Sequence, residues 1–257
     1  MNITEFNMEF FSLNGKTAIV TGGNSGLGSA FALALAKAGA NVMIVSVLDD
    51  QEVKTLIEAE NVNCLFLKSD ITEGGAPQNI VDTCVQKLGS IDILVNCAGI
   101  SLLADVKDFG REPWDKMISV NLTAAFEMSF CASKYMVEQK SGKIINICSM
   151  FSFLGGRSSP AYAASKHGLA GFTKAYCDEL AMHNIQVNGI APGYFATDLT
   201  EVSRSNPKTN ETILKHIPAQ RWGDIADLMG TVVFLASPAS NYVNGHVLAV
   251  DGGYLVR

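Results

Sequence analysis

Short runs rich in valine, isoleucine and leucine alternate along this chain with longer segments whose composition favours helices. These apolar runs are seven, at residues 16–21, 41–47, 62–70, 91–99, 142–150, 185–193 and 245–253. Strands that are apolar on both faces and separated by helices are typical of a parallel sheet with helices on both sides. The pattern therefore predicts an α/β fold with a doubly wound parallel sheet of about seven strands.

The sequence shows no sign of a boundary between domains. It has 257 residues, 48% of them hydrophobic and 17% charged, which is typical of one well-buried α/β domain. No repeat, low-complexity tract or Pro/Ser-rich linker interrupts it. We therefore predict a single domain over residues 1–257. One irregular stretch, at about 194–223, follows the sixth predicted strand, where open α/β sheets bind ligands, and is predicted to form a substrate lid.

Charge and cysteine usage argue against several classes of protein. The net charge is −6 and no dense lysine/arginine run is present, so we expect no nucleic-acid partner. The six cysteines show no zinc-ligand spacing, so we expect no metal, and free thiols in a reducing cytoplasm. No apolar stretch reaches about 18 residues, so we expect no membrane span. The N-terminal sequence lacks the features of a secretory signal, so we predict a cytoplasmic location.

A glycine-rich turn, TGGNSGLG (21–28), joins the first predicted strand to the first predicted helix. Glycines here let the backbone approach a pyrophosphate, and the N-terminus of the following helix favours its negative charge. In this strand–turn–helix context the motif indicates a Rossmann-type dinucleotide site. The predicted contacts in this turn are Gly22, Asn24, Ser25, Gly26, Leu27 and Gly28.

The end of the second predicted strand bears on which nicotinamide cofactor binds. Ser46 stands where an acidic residue usually binds the adenosine 2′-hydroxyl, and Asp49 and Asp50 follow closely. Residues 22–36 and 41–53 contain no arginine or lysine that would pair with a 2′-phosphate. NAD is therefore predicted as the cofactor, in preference to NADP.

The segment YAASK places Tyr162 and Lys166 four residues apart in an alanine-rich sequence that favours a helix. Side chains at this spacing are neighbours on one helix face. An ammonium beside a phenol favours the phenolate, which can act as a general base. A surface tyrosine and lysine on an ordinary helix would have the same spacing, so the rest of the chain must decide between the two interpretations.

Three further segments accompany this pair. Ser149 lies 13 residues before Tyr162 at the end of the fifth predicted strand, Asn121 lies in SVNLT, and NCAG (96–99) follows the fourth strand. With the glycine turn and YAASK, these segments resemble the short-chain dehydrogenase/reductase family in type, order and spacing, from about residue 13 to the end of the chain. The chain departs from the family at Cys97, where a second asparagine is usual. We expect Cys97 to pack near the cofactor without taking part in the chemistry.

The resemblance implies a role for each of these residues. Tyr162 would be the catalytic acid/base, and Lys166 would favour its phenolate and bind the nicotinamide ribose. Ser149 would hydrogen-bond the substrate oxygen, and Asn121 would position a water that links Lys166 to solvent. The other implied cofactor contacts are Ser46, Asp70, Ile71, Asn96, Ala98, Gly99, Ile190, Pro192, Gly193 and Thr197.

Two segments indicate the class of substrate, and these are KIINICSMFSFLGG and the stretch 217–253. Both are similar to the sugar-acid branch of the family, that is, 2-deoxy-D-gluconate 3-dehydrogenase (2-keto-3-deoxy-D-gluconate oxidoreductase) and gluconate 5-dehydrogenase. The resemblance implies interconversion of a secondary alcohol and a ketone on a sugar acid. A carboxylate substrate needs a cation, and the candidates are Arg157, Arg204 and Lys208. The predicted substrate contacts are Ser149, Met150, Arg157, Tyr162 and Tyr194.

Two other functions stay open. A 3-oxoacyl-carrier-protein reductase would fit the same fold, but its acidic partner favours a basic rim and NADP. A regulator that senses NAD(H) without turnover would have no need of all four residues Asn121, Ser149, Tyr162 and Lys166. Relatives in the family are mostly homotetramers, which implies subunit interfaces at the helices near 113–139 and 161–182 and at the C-terminal DGGYLVR.

Overall fold

Seven strands form the centre of the computed structural model, which describes residues 6–105 and 107–257. Residues 1–5 lie outside the described residues. They belong to the predicted domain and to the N-terminal sequence considered above. The strands are β1 (Thr17–Thr21), β2 (Asn41–Ser46), β3 (Cys64–Lys68), β4 (Ile93–Asn96), β5 (Gly142–Ile147), β6 (Ile185–Pro192) and β7 (Val247–Val250). They form one parallel sheet in the order β3-β2-β1-β4-β5-β6-β7. The predicted doubly wound seven-stranded sheet is confirmed.

Helices cover both faces of the sheet. They are α1 (Gly26–Lys37), α2 (Glu52–Glu58), α3 (Ala76–Leu88), α4 (Arg111–Ile118), α5 (Ala124–Gln139), α6 (Pro160–Leu180), α7 (Glu201–Ser205), α8 (Pro207–His216) and α9 (Met229–Ala236). In β1, Val20 packs on the side of α1 and α9, whereas Ile19 packs on the side of α3 and α5. Each buried aliphatic side chain contributes about 1.5–3 kcal/mol, so both faces stabilise the sheet.

Two predicted segments differ in detail from the structure. The helix predicted at about 113–139 is interrupted by a π-helical turn, Ser119–Thr123, between α4 and α5. The stretch 194–223, predicted to be irregular, contains α7 and α8. Asn206 begins α8 because its side chain accepts hydrogen bonds from the amides of Lys208 and Thr209, and Pro207 suits the first helical position.

The described part of the chain contains no helix that is both long and apolar enough to cross a bilayer. All six cysteines are free thiols. Within residues 6–105 and 107–257, no cluster of three or more His, Cys, Asp or Glu side chains is arranged to hold a metal ion.

Candidate active site

A cleft of about 570 Å³ opens at the carboxyl ends of the strands, between the turns that follow β1, β4, β5 and β6. Chain connections run in opposite directions from β1 and β4, and open α/β sheets bind ligands at such a point. Most of the predicted site residues meet around this cleft. Those that line it are Gly22, Ser25, Gly26, Leu27, Gly28, Ala98, Gly99, Ser149, Met150, Arg157, Tyr162, Lys166, Pro192, Gly193, Tyr194 and Thr197.

Other predicted residues lie outside the lining, and these are Asn24, Ser46, Asp70, Ile71, Asn96, Asn121 and Ile190. The Ser46 hydroxyl accepts a hydrogen bond from the Leu48 amide at 3.1 Å. Asp70 Oδ1 accepts from the amide and the hydroxyl of Thr72, at 2.8 and 2.7 Å. Ile71 and Ile190 are buried in the two core clusters. The Ser46 and Asp70 side chains therefore shape the turns that follow β2 and β3.

Asn96 is buried where β4, β5 and α5 meet. Its Nδ2 donates to Asn146 Oδ1 and to Ser129 Oγ, each at 2.9 Å. Its Oδ1 is buried and has no hydrogen-bond partner among the described residues. The hydrogen bonds of Nδ2 fix the end of β4, from which Ala98 and Gly99 enter the cleft.

The glycine turn has the shape that a dinucleotide requires. A Cβ on Gly28 would lie 2.1 Å from the Gly22 carbonyl oxygen, so only glycine allows the turn to close. Gly26 lines the cleft with φ at +51°, and apart from its neighbours along the chain no described residue has an atom within 4 Å of the position where its Cβ would be. Asn24 is buried, and its Nδ2 donor has no partner among the described residues. A bare backbone and an unpaired buried donor fit the phosphates and ribose of a nicotinamide dinucleotide.

Helix α6 carries Tyr162 and Lys166 on its first turns, as the spacing predicts. Pro160 occupies its first turn, and the Ser159 hydroxyl before it donates to the Leu102 carbonyl at 3.1 Å. The Lys166 side chain is 4% exposed, and its Nζ donates to the Ile147 carbonyl at 2.7 Å. The Nζ lies 5.6 Å from the centre of the Tyr162 ring. The Lys166 Nζ and the Tyr162 ring therefore lie close together at the cleft, with the Nζ position fixed by the Ile147 carbonyl.

Asn121 lies in the π-helical turn, buried beside the cleft. Its Oδ1 accepts from the Ile100 amide at 2.8 Å, and its Nδ2 donates to the Ile100 carbonyl at 2.9 Å. The Nδ2 also donates to Ser165 Oγ at 3.2 Å. Asn121 therefore joins the segment after β4 to α6, close to Lys166. A π turn is frequent at functional sites because it redirects one side chain within a helix.

Ser149 follows β5 and begins a 3₁₀ turn, Met150–Ser152. Its hydroxyl oxygen accepts from the Phe151 amide at 3.2 Å. The Phe151 ring meets the Tyr162 ring edge to face, with the centres 6.1 Å apart. Ser149 and Tyr162 both line the cleft, so the structure brings a hydroxyl and a phenol to the same surface.

The cleft also contains two thiols, Cys97 and Cys148. Burial raises the pKa of Cys97 to about 12, and the nearby Lys166 only partly opposes this effect. Burial also raises the pKa of Cys148. Both thiols are therefore protonated at neutral pH, which argues against either acting as a nucleophile.

Arg157 and Tyr194 also line the cleft. Arg157 is exposed and lines the cleft, whereas Arg204 and Lys208 do not line it. Arg204 donates to the Thr197 carbonyl at 3.2 Å. The Tyr194 ring contacts the rings of Trp222 and Tyr254, and burial raises its pKa to about 12. Tyr194 is therefore a neutral, fixed wall of the cleft.

Several lining residues were missed by sequence reasoning, among them Ile100, Ser101, Leu103, Asp198, Thr200 and Ser203. They follow NCAG (96–99) and the segment PGYFAT (192–197) within a few residues, so adjacency to these segments was the available signal. Lys68 was missed for another reason. It lies 22 residues after Ser46 in the chain, but the pairing of β2 with β3 places the two side by side. The structure thus brings a cation near the predicted ribose end.

The site combines a hydroxyl, a phenol and a buried ammonium with a backbone cradle for a dinucleotide. The hydroxyl and the phenol can both hydrogen-bond one substrate oxygen, and the phenol can also exchange a proton with it. Proton transfer at an oxygen beside a bound nicotinamide is the chemistry of alcohol–ketone interconversion. The fold and the site together define a nicotinamide-dependent oxidoreductase.

Comparison with known proteins identifies the family. The family model described as short chain dehydrogenase matches residues 16–208. Uncharacterized oxidoreductase YgcW of Escherichia coli (strain K12) is 67% identical over 257 residues, covering 100% of this chain and 98% of that protein. The 2-dehydro-3-deoxy-D-gluconate 5-dehydrogenase of Bacillus subtilis (strain 168) is 47% identical over 250 residues, 96% of this chain and 97% of that protein.

A solved structure agrees with these sequence matches. The gluconate 5-dehydrogenase from Burkholderia cenocepacia J2315, in complex with NADP and tartrate, has a TM-score of 0.92 and 36% sequence identity. The match covers 97% of this chain and 99% of that chain. This chain belongs to the short-chain dehydrogenase/reductase family, and it is an NAD(P)-dependent oxidoreductase.

Proposed function

We propose that this protein interconverts a secondary alcohol and a ketone on a sugar acid, as 2-deoxy-D-gluconate 3-dehydrogenase does, with NAD as cofactor. The observation that carries the proposal is that one cleft is lined by Ser149, Tyr162 and Lys166, by the glycine turn and by the exposed Arg157. The names of the relatives support a sugar acid, since they act on 2-dehydro-3-deoxy-D-gluconate and on gluconate.

The catalytic residues act on one substrate oxygen. When bound, the nicotinamide supplies the hydride acceptor or donor. In oxidation the Tyr162 phenolate takes the hydroxyl proton of the substrate, and in reduction the Tyr162 phenol returns a proton to the carbonyl oxygen. Because Ser149 Oγ is the acceptor in its bond with the Phe151 amide, its own proton can be donated to the substrate oxygen. Lys166, held on the Ile147 carbonyl, lies beside the Tyr162 ring and would also bind the nicotinamide ribose.

Arg157 is the cation that we assign to the substrate carboxylate. It lines the cleft, whereas Arg204 is engaged with the Thr197 carbonyl and Lys208 is exposed on α8. A guanidinium can hold a carboxylate with two parallel hydrogen bonds, which an ammonium cannot do. Met150 and Tyr194 would complete the substrate wall.

Substitution of Arg157 tests this assignment. We expect Arg157→Ala to raise KM for the sugar acid by about 10-fold to 100-fold, and Arg157→Lys to recover only part of the loss. A neutral keto-sugar of the same length serves as the control substrate, and its KM should stay the same. Equal effects on the acid and the neutral substrate would refute a carboxylate contact.

The preference for NAD rests on Asp49 and Asp50, exposed in the turn after Ser46, which oppose a 2′-phosphate. Lys68, beside Ser46, would instead attract a 2′-phosphate, and the B. cenocepacia relative binds NADP. We therefore expect a modest preference, with kcat/KM for NAD about 10-fold above that for NADP. Steady-state kinetics with both cofactors measures this ratio directly, and an NADP preference would overturn it.

The proposal also includes a homotetramer in the cytoplasm. Phe126 and Phe130 on α5 are 44% and 48% exposed, and the Phe172 ring on α6 contacts Phe126. Exposed aromatic side chains on a long helix, next to the half-buried Phe172 of a second long helix, are typical of an interface surface. Light scattering should give a mass about four times the 27.4 kDa of one chain. A monomer mass would refute this part of the proposal.

The decisive experiment is a reductase assay on the purified protein. NADH or NADPH is mixed in separate wells with 2,5-diketo-3-deoxy-D-gluconate, 5-keto-D-gluconate or an acetoacetyl thioester, and the loss of absorbance is followed. Rapid NADH loss with the first compound is the expected result, and the second would indicate a gluconate 5-dehydrogenase. Turnover only with the thioester and NADPH would indicate a 3-oxoacyl-carrier-protein reductase. NADH binding without turnover of any ketone or alcohol would indicate a sensing protein.

A further inference from the structure

Ser149 and Tyr162 must act on the same substrate atom, but they come from separate elements. Ser149 begins the 3₁₀ turn after β5, and Tyr162 lies on α6. The chain between them, about residues 153–158, is largely exposed, with Gly155 and Gly156 in its middle. An exposed connection of this kind does not by itself hold two catalytic groups to within a fraction of an ångström, which efficient catalysis requires.

Ser152 spans the gap between these two elements. Its side chain is 6% exposed, and its Oγ accepts a hydrogen bond from the Ser149 amide at 3.3 Å. The same hydroxyl donates to the Lys166 carbonyl at 2.8 Å. One buried hydroxyl thus uses both of its hydrogen-bonding functions to join the backbone of one catalytic residue to the backbone of another.

We propose that Ser152 is a positioning residue of this site. Its hydroxyl fixes the position of the Ser149 backbone relative to Lys166 and, through α6, relative to Tyr162. It touches neither substrate nor cofactor, because the cleft lining contains Ser149, Met150 and Phe151 but not Ser152. Two other contacts between these elements, that of the Lys166 ammonium with the Ile147 carbonyl and that of the Phe151 ring with Tyr162, do not involve the Ser149 backbone. The effect that we expect on kcat rests on the proposed function, whereas the effect that we expect on the distance between Ser149 and Tyr162 does not.

Removal of the hydroxyl should separate catalysis from cofactor binding. In Ser152→Ala we expect kcat to fall about 10-fold to 100-fold, as a displacement near 1 Å would cause. The Kd for NADH should stay within twofold, because the glycine turn and the Lys166–Ile147 contact are unchanged. Ser237→Ala is the matched control. It removes another buried hydroxyl that donates to a backbone carbonyl, that of Phe234 at 3.0 Å, outside the cleft, and kcat should be unaffected.

The crystal structures of the wild type and Ser152→Ala provide a test that needs no substrate. The proposal expects the distance between Ser149 Oγ and Tyr162 Oη to change by about 0.5 Å or more, the tolerance of a catalytic geometry. An unchanged distance, or an unchanged kcat with the measured substrate, would overturn the proposal. If wild-type protein reduces no sugar acid but the distance changes, the proposed function fails and the role of Ser152 stands. If Ser152→Ala does not fold, Ser152→Cys keeps the length with a weaker donor and is measured with the same two readouts.

Discussion

Lys143 offers a quantitative test of how burial controls charge in this fold. It lies in β5 and is only 9% exposed, and its Nζ donates to Ser240 Oγ at 3.2 Å and to Asn241 Oδ1 at 2.9 Å. Neither partner is charged. Burial therefore lowers the pKa of Lys143 from the ordinary 10.5 to about 8. Folding at neutral pH requires this ammonium to lose most of its water.

The sign of the effect on stability follows from proton linkage. Between pH 8 and 10.5 the unfolded chain holds the lysine proton and the folded protein has released it, so stability rises with pH over this window. The full difference of 10.5 − 8 = 2.5 pH units corresponds to about 3.4 kcal/mol. About 2.5 kcal/mol of this accrues between pH 7 and 10. The Lys143 Nζ is hydrogen-bonded to the exposed Asn241, so water screens part of this effect. We therefore expect the free energy of unfolding to rise by about 2 kcal/mol between pH 7 and 10.

Lys143→Met removes the titrating group and keeps the length of the side chain. Asn241 is exposed and can bond water instead, and Ser240 Oγ still donates to the Leu235 carbonyl, so little else is lost. Urea unfolding at pH 7, 8.5 and 10 should show the variant more stable at pH 7, with an advantage that shrinks by about 2 kcal/mol at pH 10. Lys87→Met, at an exposed lysine of α3, should show no such change. A pH-independent difference between wild type and Lys143→Met would refute the reasoning.

Three further predictions concern the site itself. Tyr162→Phe should lower kcat by about 10²-fold to 10⁴-fold with the Kd for NADH, measured by fluorescence, nearly unchanged, and a fully active variant would exclude Tyr162 as acid/base. Gly28→Ala places a Cβ 2.1 Å from the Gly22 carbonyl oxygen, so NADH binding should weaken by at least about 100-fold. Gly230→Ala should bind NADH normally, because apart from neighbours along its own helix no described residue lies within 4 Å of the new Cβ. Lys68→Ala should raise KM for NADP several-fold and leave KM for NAD unchanged, because only NADP carries the 2′-phosphate, and equal effects would argue against a phosphate contact.

Much of the fold and the core of the site could be predicted because their signals are local. The apolar runs predict buried strands, and the glycine turn predicts a dinucleotide site because its neighbours in the chain are a strand and a helix. Tyr162 and Lys166 share a helix face by spacing alone. The helices within the stretch 194–223 could not be predicted in the same way, since α7 and α8 are short and polar and their helical pattern is weak.

The sequence by itself determined the parallel sheet, the glycine turn and the residue types of the catalytic set, because each depends on neighbours along the chain. Only the tertiary structure decided which distant groups meet. The strand order places Lys68 beside Ser46 and Asn146 against Asn96. The packing of α6 on the turn after β5 places the Ser152 hydroxyl between Ser149 and Lys166. Such contacts follow from sheet order and helix packing, which no local pattern encodes, and they set the positions of the groups that the sequence supplies.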